Sequence, residues 1–323
     1  MCIRDRYEAV EDREANEAGV RIGPRVFGTG YLMEWQRVYY KMGVAISTNA
    51  QLDMELERAK ILQHDLVKSY VRMPDLQQKH IVDVAHAMGV PVSSHEIYPA
   101  AFSGMDGTEH TTATSRRGYS PKMTLGRAYA DVVQLFGQAH MTLTPTIFGG
   151  IRRLLDAEPD LRNDPRLNLY PAWLKTQTTT PPTPQMLALL AANEGTGTGK
   201  FVLDAQKAGA RIVAGTDTPN GMNLHAELFS YVQFGMTPYE ALRAATVTPA
   251  EALNLDAGSV EAGKLADIVL VDGNPLENIA AAHKVKKVIA NGRLFDIDDL
   301  LKGGSKGDSK GDGKPKSTAP ASH

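Results

Sequence analysis

Between Leu66 and His110, strand-like segments carry side chains that an apolar strand does not ordinarily hold. Leu66-Val67-Lys68-Ser69-Tyr70-Val71 is apolar except for the central lysine and its serine neighbour. Val90-Pro91-Val92-Ser93-Ser94-His95 and Met105-Asp106-Gly107-Thr108-Glu109-His110 each end on a histidine, and Arg211-Ile212-Val213-Ala214-Gly215-Thr216-Asp217 ends on an aspartate. Period-2 alternation puts Leu66, Lys68 and Tyr70 on one face. A lysine pointing into a protein interior is costly unless it is paired or chemically altered. Helical stretches separate the segments, and strands alternating with helices mean a parallel sheet. Polar side chains at the ends of successive strands favour a barrel over a doubly wound sheet, because barrel enzymes place their catalytic groups there. No glycine-rich phosphate fingerprint follows an early strand, which argues against a nucleotide-binding sheet.

The rest of the chain extends this alternation. Helices are expected over 7–19, 34–42, 53–63, 74–88 (closed by Gly89), 125–137, 185–192, 199–208, 224–234 and 238–253, the last with Pro238 at its first position. Strands are expected over 20–27, 66–71, 90–95, 105–110, 141–148 and 211–217, six in all. His80 and His86 fall on a helix and read as surface or packing residues. Residues 111–122 read as a polar loop, and the proline-rich stretch 156–184 as either a lid or a peripheral excursion. From Gly258 the pattern changes to short hairpin-like strands, 268–271, 285–290 and 293–295, with a turn at Asn291-Gly292. The expected organisation is a start unrelated to the rest of the chain (1–6), a partial barrel (7–257), a small β unit (258–300) and a disordered Gly/Ser/Lys-rich tail (301–323).

A formal charge of −2 gives no electrostatic reason to expect nucleic acid as a partner. No apolar run reaches the length of a membrane span. Cys2 is the only cysteine, so any metal must be held by nitrogen and oxygen ligands, some of them among nine histidines. Cysteine usage fits a cytoplasmic or a periplasmic location equally. His95 and His110 at strand ends can direct imidazoles to a barrel mouth. Asp217 can bind metal, take a proton from a metal-activated water and pass it to a leaving amine. Each residue alone also has a structural reading: a core histidine, a salt-bridged lysine, a turn aspartate.

Lys68, His95, His110 and Asp217, in strand order, resemble the metal-ligand set of the amidohydrolase superfamily. The stretches Leu224-His225-Ala226-Glu227-Leu228, Gly235 to Thr246, Thr248-Pro249-Ala250 and Gly263 to Leu270 resemble its imidazolonepropionase/prolidase-like branch. The similarity runs from about Gly19 to Asp296 and extends to bacterial amidohydrolases that follow a TolB-like β-propeller, so a propeller would precede this chain in a longer parent. It implies an α/β TIM-type (β/α)8 barrel, here its third to eighth strands, with part of a β-sandwich beside it. It also implies a divalent metal site, a pair of zinc ions when complete, in which Lys68 is carboxylated by CO₂ and bridges the metals. Asp217 is then the catalytic base, while His225 and Tyr70 line the substrate site, although His225 could instead cap its own helix. The implied substrate is a small amide, cyclic amide or dipeptide, and a homo-oligomer is compatible with the family.

The chain departs from the family in one respect: no His-x-His occurs anywhere in it. In the family that motif ends the first barrel strand and ligates the more buried metal. The sequence therefore reads as an N-terminally truncated hydrolase that is inactive as it stands. The alternatives are an amidohydrolase-like binding module and a mononuclear deaminase, the latter disfavoured by Lys68.

Overall fold

Seven strands form one parallel sheet: β1 (Leu32–Trp35), β2 (Gly43–Ile46), β3 (Val67–Ser69), β4 (Val92–Ser94), β5 (Gly107–Glu109), β6 (Thr142–Thr144) and β7 (Arg211–Ile212). Their spatial order is β2-β1-β3-β4-β5-β6-β7. The computed structural model describes residues 8–39, 42–96, 100–110, 130–147, 150–188, 198–218 and 220–303. From β3 to β7 each strand lies beside the next in sequence, the winding of a (β/α) barrel. Among the described residues β2 and β7 gain no further neighbour, so the arrangement is an incomplete barrel.

The helices include α1 (Glu8–Glu17), α2 (Asn49–Ile61), α3 (Asp75–Ala87), α4 (Ala100–Ser103), α5 (Ala130–Gln138), α6 (Gly150–Ala157), α7 (Ala172–Thr179), α8 (Thr198–Lys207), α9 (Gly221–Gln233), α10 (Pro238–Ala244), α11 (Val247–Ala252) and α12 (Ile297–Gly303). Register shows how the sheet divides its faces. Val67 pairs with Val92, and two residues along β4, on the same face, Ser94 begins a row that continues through Thr108, Leu143 and Ile212. Val67, Val92, Leu143 and Ile212 pack with Leu52 and Leu56 of α2, Ile81 of α3, Phe136 of α5 and Val202 of α8 in the main core. Lys68 pairs with Ser93, which pairs with Gly107. Lys68, Ser93 and Glu109 therefore share the opposite, inner face.

Two expectations near the start are corrected. Residues 20–27 form no strand. Gly19 turns with φ +70, Val20 and Ile22 stay exposed, and Pro24 has no N–H to offer a ladder. The described residues of 34–42 are not helical: β1 occupies 32–35, because Leu32 and Met33 are buried against β3, and Gln36 at φ +64 turns the chain toward β2, while residues 40 and 41 lie outside the described residues. Among the described residues the sheet consequently has seven strands where the pattern suggested six.

Other elements differ in extent. α2 starts earlier than expected, with the Thr48 hydroxyl accepting the Gln51 N–H at 3.2 Å. The expected helix 238–253 is two helices broken at Thr246, whose φ of −131° and ψ of −82° are not helical. Pro249 beyond it has no N–H to bond back across the break. Stretch 156–184 holds two 3-10 turns (Pro159–Asn163 and Pro165–Leu169) and α7, anchored by buried Leu161, Leu167 and Leu174. It is tied to the start of α9: the Tyr170 hydroxyl accepts the Met222 N–H at 3.1 Å, and Asn220 donates to Thr178 at 2.7 Å. As expected for surface residues, His80 pairs with Asp53 at 2.6 Å and His86 with Asp106 at 2.8 Å.

A second, antiparallel sheet has the order β10-β9-β8, from β8 (Ile268–Val271), β9 (Val285–Ala290) and β10 (Arg293–Asp296). Asn291 and Gly292, with φ of +50° and +72°, make the tight turn between its last two strands, which Asn-Gly favours. α12, which ends at Gly303, is the last described element. The expected loop 111–122, the start at 1–6 and most of the expected tail lie outside the described residues.

Candidate active site

The inner-face lysine is fully buried, and its ammonium meets the carboxylate of Glu109 two strands away. Glu109 Oε2 also stands 3.9 Å from His95 Nδ1. The Tyr70 and His95 rings lie 4.4 Å apart between centroids, and the His95 and His110 rings meet edge to face at 4.6 Å. His110 Nε2 is 3.9 Å from Asp217 Oδ2. Lys68, His95, His110 and Asp217 are thus brought to one place, at the C-terminal ends of β3, β4 and β5 and past the end of β7, with Tyr70 at its side.

The backbone achieves this with local strain. By alternation His110 belongs on the helix-facing side, opposite to Glu109. Its φ of +67° turns the ring inward, and its N–H donates to the Thr144 carbonyl at 2.8 Å. Thr146 (φ +47°) and Asp217 (φ +51°) are also left-handed. The Thr146 hydroxyl contacts His110 Nδ1 directly. Three non-glycine residues in this region of backbone space, each just past a strand, mark a place where the fold holds unfavourable conformations.

Burial dominates the electrostatics. It drives Lys68 well below its ordinary value, with Asp217 pulling the other way. It lowers His95 strongly and His110 to about 4, with Lys68 adding to both. Asp217 is raised by burial, against the effect of Lys68. At neutral pH the imidazoles are neutral, the form in which they ligate metals.

The donor chemistry suits a divalent cation. His110 offers Nε2 toward Asp217 while its other nitrogen is engaged, the arrangement typical of a ligating histidine. His95 Nδ1 is buried without a hydrogen-bond partner. Among the described residues, however, no three His, Cys, Asp or Glu side chains already stand at metal-holding geometry.

Sequence reasoning missed Glu109. The signal was present, since a buried inner-face lysine requires a counter-charge, and of the two acidic residues in the strand that ends on His110, Asp106 and Glu109, alternation puts Glu109 on the face of Gly107. His225, expected to touch substrate, lies on α9, with His283 and Arg166 as the charges acting on it and its value lowered to about 4, chiefly by burial.

Glu227 was also unassigned. It is buried on α9, and its carboxylate accepts the Ile147 N–H at 2.8 and 2.9 Å and the Tyr231 hydroxyl at 3.0 Å. Burial pushes it up to about 8, against the Ile147 and Tyr231 hydrogen bonds and the Arg153 charge. The folded chain therefore keeps a proton that the unfolded chain releases. Glu227 accordingly contributes a fall in stability as pH rises from about 5 to about 8, of up to roughly 1.4 kcal/mol per pH unit. Unfolding free energies of wild type and Glu227→Gln, measured at both ends of this window, should differ by an amount that changes with pH. A constant difference would show that the carboxyl does not titrate there.

Comparison with known proteins identifies the family and the fold. The sequence profile of the amidohydrolase family matches residues 7–295. An adenine deaminase of Methanosphaera stadtmanae is 46% identical over 71 residues, which are 22% of this chain and 12% of that protein. An ochratoxinase of Aspergillus niger is 38% identical over 98 residues, 28% of this chain and 20% of that protein. The matched segments are thus a small part of these relatives. The structure of a Xaa-Pro dipeptidase with bound methionine superposes with a TM-score of 0.65 at 21% identity, over 90% of this chain and 72% of that one. The A. niger ochratoxinase structure gives 0.65 at 19%, over 90% and 70%. With a profile match over most of its length and the shared barrel architecture, the chain belongs to the amidohydrolase family.

Proposed function

We propose that this chain carries the catalytic side chains for metal-dependent hydrolysis of a C–N bond in a small amide, cyclic amide or dipeptide. The observation that carries the reading is the convergence of Lys68, His95, His110 and Asp217 at the C-terminal ends of the strands. The hydrolase names of its relatives agree with it. Lys68, His95, His110 and Asp217 would hold the cation, a pair of zinc ions in the fullest form. When bound, the metal supplies a polarised carbonyl and an activated water. Burial makes the Lys68 proton easy to lose, and the neutral amine is the form that adds CO₂. The N–C bond forms, the carbamate becomes an anionic ligand, and Glu109 is placed to take the proton released. Asp217 accepts the proton of the attacking water and returns it to the departing amine. Tyr70, against His95, walls the substrate side.

The test is zinc content by elemental analysis after purification with zinc and bicarbonate, alongside hydrolysis assays on an Xaa-Pro dipeptide, a cyclic amide and adenine. Zinc bound by wild type and lost in Lys68→Ala is the expected result. A folded wild type that binds no zinc would overturn the hydrolase reading in favour of a metal-free binding module. Ammonia released from adenine alone would favour the deaminase reading.

A further inference from the structure

The geometry points to Glu227 as a positioning residue for the candidate site: through the Thr146–Ile147 turn it sets which nitrogen of His110 faces the other ligands. Glu227 sits on a helix, not at a strand end. It nevertheless grips the segment that touches His110. Both of its oxygens receive the Ile147 N–H, at 2.9 and 2.8 Å. Thr146, one residue earlier, is 4% exposed and left-handed at φ +47°, and its hydroxyl contacts His110 Nδ1.

A threonine in left-handed backbone is strained, and it stays there only where its surroundings hold it. A buried acceptor on the next N–H is such a restraint. Released from Glu227, the turn would relax, and the Thr146 hydroxyl would leave His110. The ring could then rotate or change tautomer, and Nε2 would no longer be committed toward Asp217. Tyr231, one helical turn along α9, fixes the carboxylate from the other side with its hydroxyl at 3.0 Å and is itself fully buried. A Tyr–Glu–backbone–Thr–His relay thus runs from the helix layer to the candidate ligand. Burying a carboxyl here is unfavourable, which explains why its proton affinity is raised, and a purely packing role would be served better by leucine.

The readout does not depend on metal. Long-range ¹H–¹⁵N correlation of histidine-labelled full chain, with His110 identified by its loss in His110→Gln, reports the ring tautomer. Wild type should show a single fixed tautomer. Glu227→Leu, which keeps the bulk and removes the acceptor, should shift His110 toward averaged nitrogen resonances, while Glu227→Gln, retaining one acceptor oxygen, should restore most of the wild-type pattern. If the leucine variant does not fold, Glu227→Asp, whose carboxylate is withdrawn by one methylene, should give the same disturbance. An unchanged His110 spectrum in a folded leucine or aspartate variant would overturn the inference. The metal role rests on the hydrolase reading and is tested separately: zinc titration should show affinity reduced about tenfold in Glu227→Leu. A His110 response without zinc binding in any variant would uphold the positioning role and sink the hydrolase reading alone.

Discussion

Lys68→Met, measured by denaturant unfolding with metal removed, is expected to cost roughly 3–5 kcal/mol, the effect of stranding one member of a buried ion pair. The mutation is close in volume, so packing loss is a small part of this. What remains is Glu109, 3% exposed, without the cation that meets it. Companion variants separate loss of the pair from loss of packing. Glu109→Leu alone should also be destabilising, because it strands Lys68. Lys68→Met/Glu109→Leu together should recover most of the loss, since replacing both charges with apolar groups is near neutral. The double-mutant cycle isolates the pair from the separate effects of each residue. A Lys68→Met variant as stable as wild type would mean that the lysine and glutamate do not pair in the metal-free chain.

Asp217→Asn is the second large effect, and its expected signature is loss of chemistry with retention of fold. Asparagine accepts left-handed backbone at least as readily as aspartate, so the φ of +51° at this position is no obstacle. The amide is close in size and keeps a hydrogen-bonding oxygen. What it lacks is the ability to take a proton from water and return it. Removing a general base typically lowers the rate by about 10²–10⁴-fold. In a zinc-loaded wild type that turns over a substrate of the panel, the variant's turnover should fall by that amount, with circular dichroism and unfolding midpoint close to wild type. A variant that retains wild-type turnover would remove Asp217 from the mechanism and leave another group as base.

Much of this architecture was legible in the order of residues. Alternating apolar and helical patterns announced parallel strands, and Lys68, His95, His110 and Asp217 stood out because strand-end polar residues are unusual in that context. The Asn291-Gly292 turn and the Pro238 helix start were readable because each depends on backbone preferences of adjacent residues. The failures were at 20–27 and 34–42, where short segments have no periodicity long enough to separate strand from helix. At the second of these the outcome depended on burial of β1 against β3, a contact with residues more than thirty positions away in sequence.

Sequence alone determined the strand-and-helix alternation, the family and the identity of the side chains available for chemistry, because these follow from local composition and spacing. Tertiary structure decided the rest. It chose Glu109 as the counter-charge of Lys68, since only strand register places the two on one inner face. It turned His110 toward the site against its strand parity, through a positive φ that alternation does not foresee. And it brought Glu227, distant in sequence from Thr146 and Ile147, beneath the turn that holds His110. In each case the controlling interaction is between residues far apart along the chain, and its strength comes from burial, which no local pattern of residues records.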